Sequence, residues 1–423
     1  MSSDLAVRPV GPARVVELDL DRPGELRSPG GLQETSPTGR ALALVRLRGH
    51  PLGLVEATAA PGDSAGLRRA LVEAAHRELG TPAPITARRA APHDQPTVSV
   101  VICTHNRQRM LRQCLDSLLR TGYPYVEVIV VDNAPSSDAT EELIRTRYPD
   151  QVRYVREPVA GSSRARNRGL AAARGEICAF ADDDVIIDAD WVSSLVDAFQ
   201  ADGRVGCVTG LVLPAELDTE AQVAVEQYGG YAKGFTARSW SLRERPDDPL
   251  LPFKVCMFGS GANMAFRTEL FRRLDGFDPA IGIGTPARGG EDLLAFFRVL
   301  VDGYTVAYQP DAIVWHRHRR TMDALTTSIF NFGVGFGAVL AAAVVHEPGL
   351  LAVLLRGLPR GARQWWAGRA RDQAALNGAN SPRHLGRKEL HGLLYGPFTY
   401  LFSLWQQRSA SDRGTVTSSG GRP

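Results

Sequence analysis

Three consecutive carboxylates, Asp182, Asp183 and Asp184, end the run "EICAFADDD". The apolar residues before them, 177–181, read as a buried strand. An unpaired carboxylate at the end of such a strand is costly, and three together repel one another, so a positive partner is expected. Side chains alternate along an extended chain, which puts Asp182 and Asp184 on one side and Asp183 on the other. Two carboxylates at i and i+2 can share one hard divalent cation, and Mg2+ and Mn2+ take oxygen ligands from a few protein groups plus substrate phosphates. The plainer reading is a solvated acidic turn capping the helix that begins near Asp190.

A second acid pair, Glu291 and Asp292, follows two glycines in "GTPARGGEDLLAFFRVL" and falls in the first turn of an apolar-periodic helix. The helix N-terminus favours an ionised carboxylate there. Adjacent helix residues do not face the same way, so one of the two can point at a substrate. An ionised acid so placed can take the proton of a hydroxyl nucleophile; the alternative is that both cap the helix. The phosphate-loop pattern GxxxxGK[ST] is absent, as is GxGxxG after a strand, which argues against ATPases and dinucleotide enzymes. Nucleotidyltransferases usually place a glycine-rich loop after the first strand, whereas the loop here, "THNRQR", has none.

The elements that must position these acids alternate between strand and helix after Pro96. "TVSVVIC", "VEVIVVD", "VRYV" and "EICAFADDD" read as strands, with "RMLRQCLDSLLR", "ATEELIRTRY" and "SSRARNRGLAAARG" as the helices between them. Near-continuous Val/Ile runs mean strands covered on both faces, hence a doubly wound parallel α/β sheet. Ligands of such sheets bind at the carboxyl ends of the strands. That rim carries Thr104, Asn106 and Arg107 after the first strand, Asp132 after the second and the aspartate triplet after the fourth.

At 423 residues the chain suits two or three domains, and 44% hydrophobic with 22% charged residues is a globular composition. A net charge of +3 gives no reason to expect nucleic acid. The charge is uneven: residues 356–408 hold nine Arg/Lys against Asp372 and Glu389. Five cysteines with no CxxC spacing read as reduced thiols of a cytosolic protein. "MSSDLAVRPVG" has no apolar h-region, so secretion is not expected. Residues 1–80 read as a small N-terminal α+β domain, a packing or docking module without a chemical motif, and 81–96 as an Ala/Pro/Arg-rich linker.

"VSVVICTHNR", "VIVVDNAPSSDAT", "SSRARNRGLAAARGE", "FADDD", "GANMAFR", "GGEDLLAFFRV" and "VWHRHR" stand in the order found in family 2 glycosyltransferases, which the chain resembles over residues 97–320. The resemblance implies a GT-A fold, with a mostly parallel sheet, and inverting transfer from a nucleotide-diphosphate sugar. It implies that Thr104, Asn106 and Arg107 hold the nucleoside, that Asp132 reads the base, and that Arg166 and Asn167 lie near the nucleotide. Asp184 becomes a ligand of Mn2+ or Mg2+, with Asp182 beside it and His316 as a third. Asp182 or Asp183 reaches the ribose or donor sugar. Asp292 becomes the catalytic base, and Glu291 holds the loop or an acceptor hydroxyl. The Arg317, Arg319 and Arg320 guanidiniums are available to phosphates or lipid headgroups. The chain departs from the pattern after the acid pair, where a further acid is common and "LLAFF" stands here. The acceptor is expected to be a glycan, a lipid-linked molecule or a small molecule. Retaining GT-A transfer, nucleotidyl transfer and non-catalytic nucleotide-sugar binding are the rival readings.

Residues 324–345 carry no charge over 22 positions, long enough to span a bilayer. A single span would send the basic tail to the far side, against the positive-inside rule. Three glycines and a Thr-Thr-Ser run also weaken a span, so an interfacial or re-entrant helix is expected. Trp365 and Trp366 among arginines suit a headgroup layer. Packing on the catalytic domain or a second subunit is the alternative. Residues 321–408 are therefore expected to be a helical, membrane-associated region at the inner face of the cytoplasmic membrane, and 409–423 to be disordered.

Overall fold

The computed structural model describes residues 9–80, 95–243, 250–357 and 383–418. The chain begins with strands β1 (Arg14–Asp19), β2 (Leu26–Arg27), β3 (Glu34–Thr35), β4 (Arg40–Leu47) and β5 (His50–Thr58), followed by helix α1 (Ser64–Leu79). They form a five-stranded sheet in the order β3-β2-β1-β4-β5. Period-2 alternation gives this sheet two apolar faces. Val16, Leu18, Ala43 and Val45 pack on Leu67 and Leu71 of α1. Val15, Leu42 and Leu44 pack instead on Ile186, Leu213 and Trp315 of the second sheet. Most of the expected linker, residues 81–94, lies outside the described residues.

The second sheet opens with β6 (Val98–Thr104), α2 (Gln108–Leu118), β7 (Val126–Asn133), α3 (Ala139–Arg147), β8 (Val152–Glu157), α4 (Ser162–Ala172) and β9 (Ile177–Asp182). These four strands are parallel in the order β8-β7-β6-β9. β6 is buried on both faces, as its sequence requires. Val100 and Ile102 meet Leu111 and Leu115 of α2, whereas Val101 faces Ala165 of α4 and Phe180.

The chain continues through β10 (Val185–Ile187), α5 (Trp191–Ala201), β11 (Val205–Pro214), α6 (Glu220–Gln227), β12 (Arg238–Trp240), β13 (Asn263–Arg267), α7 (Thr268–Arg273), α8 (Glu291–Val301) and β14 (Thr305–His316). The sheet extends as β9-β13-β11-β14-β10, with β12 also on β14. This half is mixed. β13 runs antiparallel to both neighbours, β10 and β12 run antiparallel to β14, and β11 and β14 are parallel. The parallel character read from the sequence is therefore that of the first four strands. The hairpin-like return of β10 fell below sequence detection because three residues show no period.

Helix α9 (Met322–His346) begins at a Thr321 cap, whose hydroxyl accepts from the Ala324 N–H at 3.3 Å. It is long and apolar enough to cross a membrane, yet half of its most apolar window is buried in the protein. Val339 and Gly335 lie against Gly290 at the start of α8. Helix α10 (Arg383–Ser418) packs along α9. Gly333 and Gly337 of α9 face Gly392 and Gly396 of α10, and a Cβ on any of the four would lie 2.1–2.3 Å from a carbonyl oxygen of the other helix. Small residues four apart on both helices let the backbones touch, as in small-xxx-small pairs. The helix continues through Ser418, past both Pro397 and Gly414, into the stretch expected to be disordered. Residues 419–423 lie outside the described residues, as do Trp365 and Trp366.

Candidate active site

The parallel register brings the strand-end residues together. Thr104 pairs with Asp132 across β6 and β7, and Cys103 with Asp182 across β6 and β9. After Asp182 the chain leaves β9 and crosses to β14, where Val185 pairs with His316 and the Arg317 N–H donates to the Asp184 carbonyl at 3.1 Å. That crossing delivers the triplet to the histidine.

Asp182 ends β9, and Asp183 and Asp184 form the turn into β10. Asp183 accepts from the Thr104 hydroxyl at 2.7 Å and from Arg107 at 3.1 Å. Asp182 accepts from Arg166 at 3.0 Å, and Asp184 from Arg107 at 3.2 Å. Asp182, Asp184 and His316 each turn one ligand atom to a common point, all within 4.8 Å of one another. Burial, helped by the charge of Asp184, pushes the Asp183 carboxyl up to about 6. Burial likewise raises Asp182 and Asp184 above the ordinary carboxylate range. Two guanidiniums, Arg107 and Arg166, serve these three acids and Glu291 as well. The charges of Arg317 and Arg319 also reach Asp184, and burial still outweighs them.

His316 Nδ1 lies 3.1 Å from His318 Nδ1, and His318 Nε2 lies 2.7 Å from Glu226 Oε1. A carboxylate only accepts, so His318 carries its proton on Nε2 and presents a bare Nδ1. The His316 proton then sits on Nδ1, leaving a lone pair on Nε2. Burial, followed by the His318 ring, lowers His316 to about 3, so it is neutral at pH 7. Its Nε2 faces Asp184 Oδ1 at 3.4 Å, and that oxygen is buried without a hydrogen bond. Two facing lone pairs repel unless a cation lies between them. A mixed carboxylate and imidazole set suits Mn2+ and accommodates Mg2+ through its oxygens. Tyr231 covers the pair, its ring 5.2 Å from that of His316 and 5.5 Å from that of His318.

Arg166 bridges this cluster to the second acid pair. It donates to Glu291 at 2.5 Å, and the Ser162 hydroxyl donates to the same oxygen at 2.5 Å. Glu291 is thereby fixed and buried. Asp292 accepts from the Gly261 N–H at 2.6 Å and from its neighbour Leu293 N–H at 2.9 Å. Burial, then the charge of Glu291, pushes Asp292 up to about 6, outweighing the helix terminus that was expected to hold it ionised.

Other sequence candidates are placed more as scaffold. Asn106 has φ of 56°, and its side-chain oxygen accepts from the Ser136 N–H at 3.1 Å and hydroxyl at 2.9 Å, tying the β6 and β7 loops together. Asn167 is bonded twice to the Phe277 backbone, at 2.7 and 2.8 Å. Asp132 is fully buried, raised by that burial, and accepts from the Tyr154 hydroxyl at 3.0 Å. Glu226, Ser162 and Tyr231 escaped the sequence reading, whereas His318 was legible two residues after His316, since i and i+2 face alike in an extended chain.

Residues 99–275 match the family model "Glycosyl transferase family 2". The chain is 27% identical over 260 residues to the pre-mycofactocin glycosyltransferase of Mycobacterium tuberculosis, covering 61% of this chain and 50% of that one. It is 26% identical over 193 residues to the glucosyl-dolichyl phosphate glucuronosyltransferase of Haloferax volcanii, covering 44% and 57%. It thus spans little more than half the length of these curated relatives. Among solved structures, a mannosyltransferase from Pyrobaculum calidifontis in complex with GDP-Man and Mn2+ matches with a TM-score of 0.48 and 21% identity, over 76% of this chain and 92% of that one. Together these matches support a family 2 glycosyltransferase domain over residues 99–275.

Proposed function

We propose that this protein transfers a sugar, with inversion, from a nucleotide-diphosphate donor to an acceptor hydroxyl, and that it needs Mn2+ or Mg2+ to do so. The observation that carries the reading is the pair of linked acidic centres. Asp182, Asp184 and His316 converge at one end of Arg166, and Glu291 with Asp292 at the other. A divalent cation held by the first set would neutralise charge on the departing diphosphate. Thr104 and Arg107 hold Asp183 in place for the ribose or donor sugar, and Asp132 with Asn106 and Asn167 shapes the base side. Asp292, raised towards neutrality, takes the acceptor proton, and Glu291, clamped by Arg166 and Ser162, fixes the helix start that aims it.

The proposed acceptor side is consistent with work at a lipid surface. Leu394, Tyr395, Phe398, Leu401, Phe402 and Trp405 of α10 form one exposed stripe, each 49–69% accessible. Their spacing is helical, and exposed Arg387, Lys388 and Arg408 flank them. An aromatic stripe between basic ends suits the headgroup layer of an anionic membrane. This supports a position at the inner face of the cytoplasmic membrane.

A panel of nucleotide sugars, with Mn2+ and with EDTA, scored by donor hydrolysis and thermal shift, tests the reading. Stabilisation by at least one donor only with metal is expected. No response to any donor would overturn it.

A further inference from the structure

Behind the aspartate triplet lies a second cleft, of about 280 Å³, between α2, the end of β14 and the N-terminal sheet. Its walls include Arg112, Arg120 and Arg317, with Leu32 and Ile186 as an apolar floor. The one carboxylate on the wall, Asp116, is already engaged, with both oxygens 3.2 Å from Arg147 and one 2.7 Å from the Tyr148 hydroxyl. Among the described residues the three arginine side chains have no hydrogen-bond or ion-pair partner. Arg317 is the most telling, because its Nη1 is shut off from solvent and still lacks an acceptor. A buried guanidinium nitrogen left unpaired costs the full desolvation of the group, and native structures rarely leave one so.

We propose that this cleft is a second anion site, taking a phosphate group attached to a small carbon skeleton. Three guanidiniums around one opening match the fork geometry of phosphate oxygens. Leu32 and Ile186 give the carbon portion a place to rest. The volume lies just below the usual span of ligand sites, about 300–1,000 Å³, which suits a small phosphorylated molecule rather than a second nucleotide sugar. The site also has a direct mechanical link to the metal cluster. The Arg317 N–H holds the Asp184 carbonyl, and the Ser117 hydroxyl accepts from the Ile187 N–H at 2.9 Å. Leu32, from the segment between β2 and β3, brings the otherwise motif-free N-terminal unit to this cleft.

The test uses the full chain in EDTA, so that the metal cluster contributes nothing. Calorimetric titration with pyrophosphate should show binding that Arg112→Gln/Arg120→Gln weakens roughly ten- to a hundredfold. Arg317→Gln should do the same, and Arg107→Gln, at the triplet, should leave it unchanged. Phosphatidic acid vesicles titrated in parallel identify the carrier of the phosphate. Loss of pyrophosphate binding in the double variant assigns a soluble ligand, and loss of vesicle binding alone assigns a lipid. The double variant is expected to bind a donor nucleotide sugar with Mn2+ as the parent does. Equal pyrophosphate and vesicle binding by parent and double variant, or loss only in Arg107→Gln, would overturn the assignment.

Discussion

His318 hands its bare Nδ1 to His316 at 3.1 Å because Glu226 claims the proton on its other nitrogen. The Glu226–His318–His316 series thus sets which nitrogen of His316 is free. Outer partners of a ligating histidine commonly change metal affinity ten- to a hundredfold when removed. Glu226→Ala is expected to weaken Mn2+ binding by roughly that factor, measured by electron paramagnetic resonance of free Mn2+. Glu226→Gln, whose amide oxygen still accepts from Nε2–H, should restore most of it. Nitrogen-15 shifts of the metal-free protein should show His316 protonated on Nδ1 in the parent and mixed in Glu226→Ala. A parent His316 protonated on Nε2 would sink the argument.

Asp184 provides the sharper test of metal dependence. Its Oδ1 is buried, unbonded and aimed at the His316 lone pair. Asp184→Asn replaces one anionic acceptor by an amide that can donate to His316 Nε2 directly. Donor affinity in this variant is expected to be the same with Mn2+ and with EDTA, whereas the parent should bind the donor only with metal. Equal parent affinities under the two conditions, by calorimetry, would rule the cation out.

Much of this site could be read from the chain because its residues stand at strand ends, and strand ends are where a near-continuous apolar run stops. Thr104, Asp132 and Asp182 each follow such a run, and the parallel sheet then makes them neighbours. The acid pair was visible because two glycines precede an amphipathic helix. What stayed hidden depends on long-range packing. Glu226 lies on a short helix 92 positions before His318, and no local pattern links them. Nor did the sequence show that Asn167 would be spent on the Phe277 backbone, or that β10 would cross to β14. The tail was half legible. Its apolar composition announced α9, but only the opposed glycines of α9 and α10 show that α9 is covered and α10 presents the open face.

That open face makes a prediction about lipid. Phe398 and Trp405 stand one heptad apart in the stripe, both more than 60% exposed. Phe398→Glu/Trp405→Glu should weaken co-sedimentation with phosphatidylglycerol vesicles by roughly ten- to a hundredfold, the scale of losing two buried aromatic side chains. The parent's binding should also fall with added salt, since the basic flanks are screened. Unchanged sedimentation in the double variant would assign the stripe to another protein surface.

The proposed catalytic base, Asp292, gives the last test, because its environment fixes a direction on the pH axis. Burial and the neighbouring Glu291 charge hold Asp292 up at about 6, and the Arg166 charge with two backbone N–H groups, from Leu293 and Gly261, keeps it from rising further. A base must be unprotonated to act. Turnover should therefore be full above that value and fall as pH drops through about 6, one proton disabling one enzyme. Asp292→Asn removes the proton acceptor while keeping the shape, so turnover should drop by about 10²–10⁴ and lose that acid limb. Donor binding should persist, because Asp292 touches neither the aspartate triplet nor Arg107. Glu291→Gln has a different signature. It loses the charge that Arg166 and Ser162 clamp, and with it a charge that raises Asp292. Its residual activity should show an acid limb moved to lower pH, with the limb still present. Near-parent turnover in Asp292→Asn, together with a Glu291→Gln enzyme that is inactive at every pH, would transfer the role of base to Glu291.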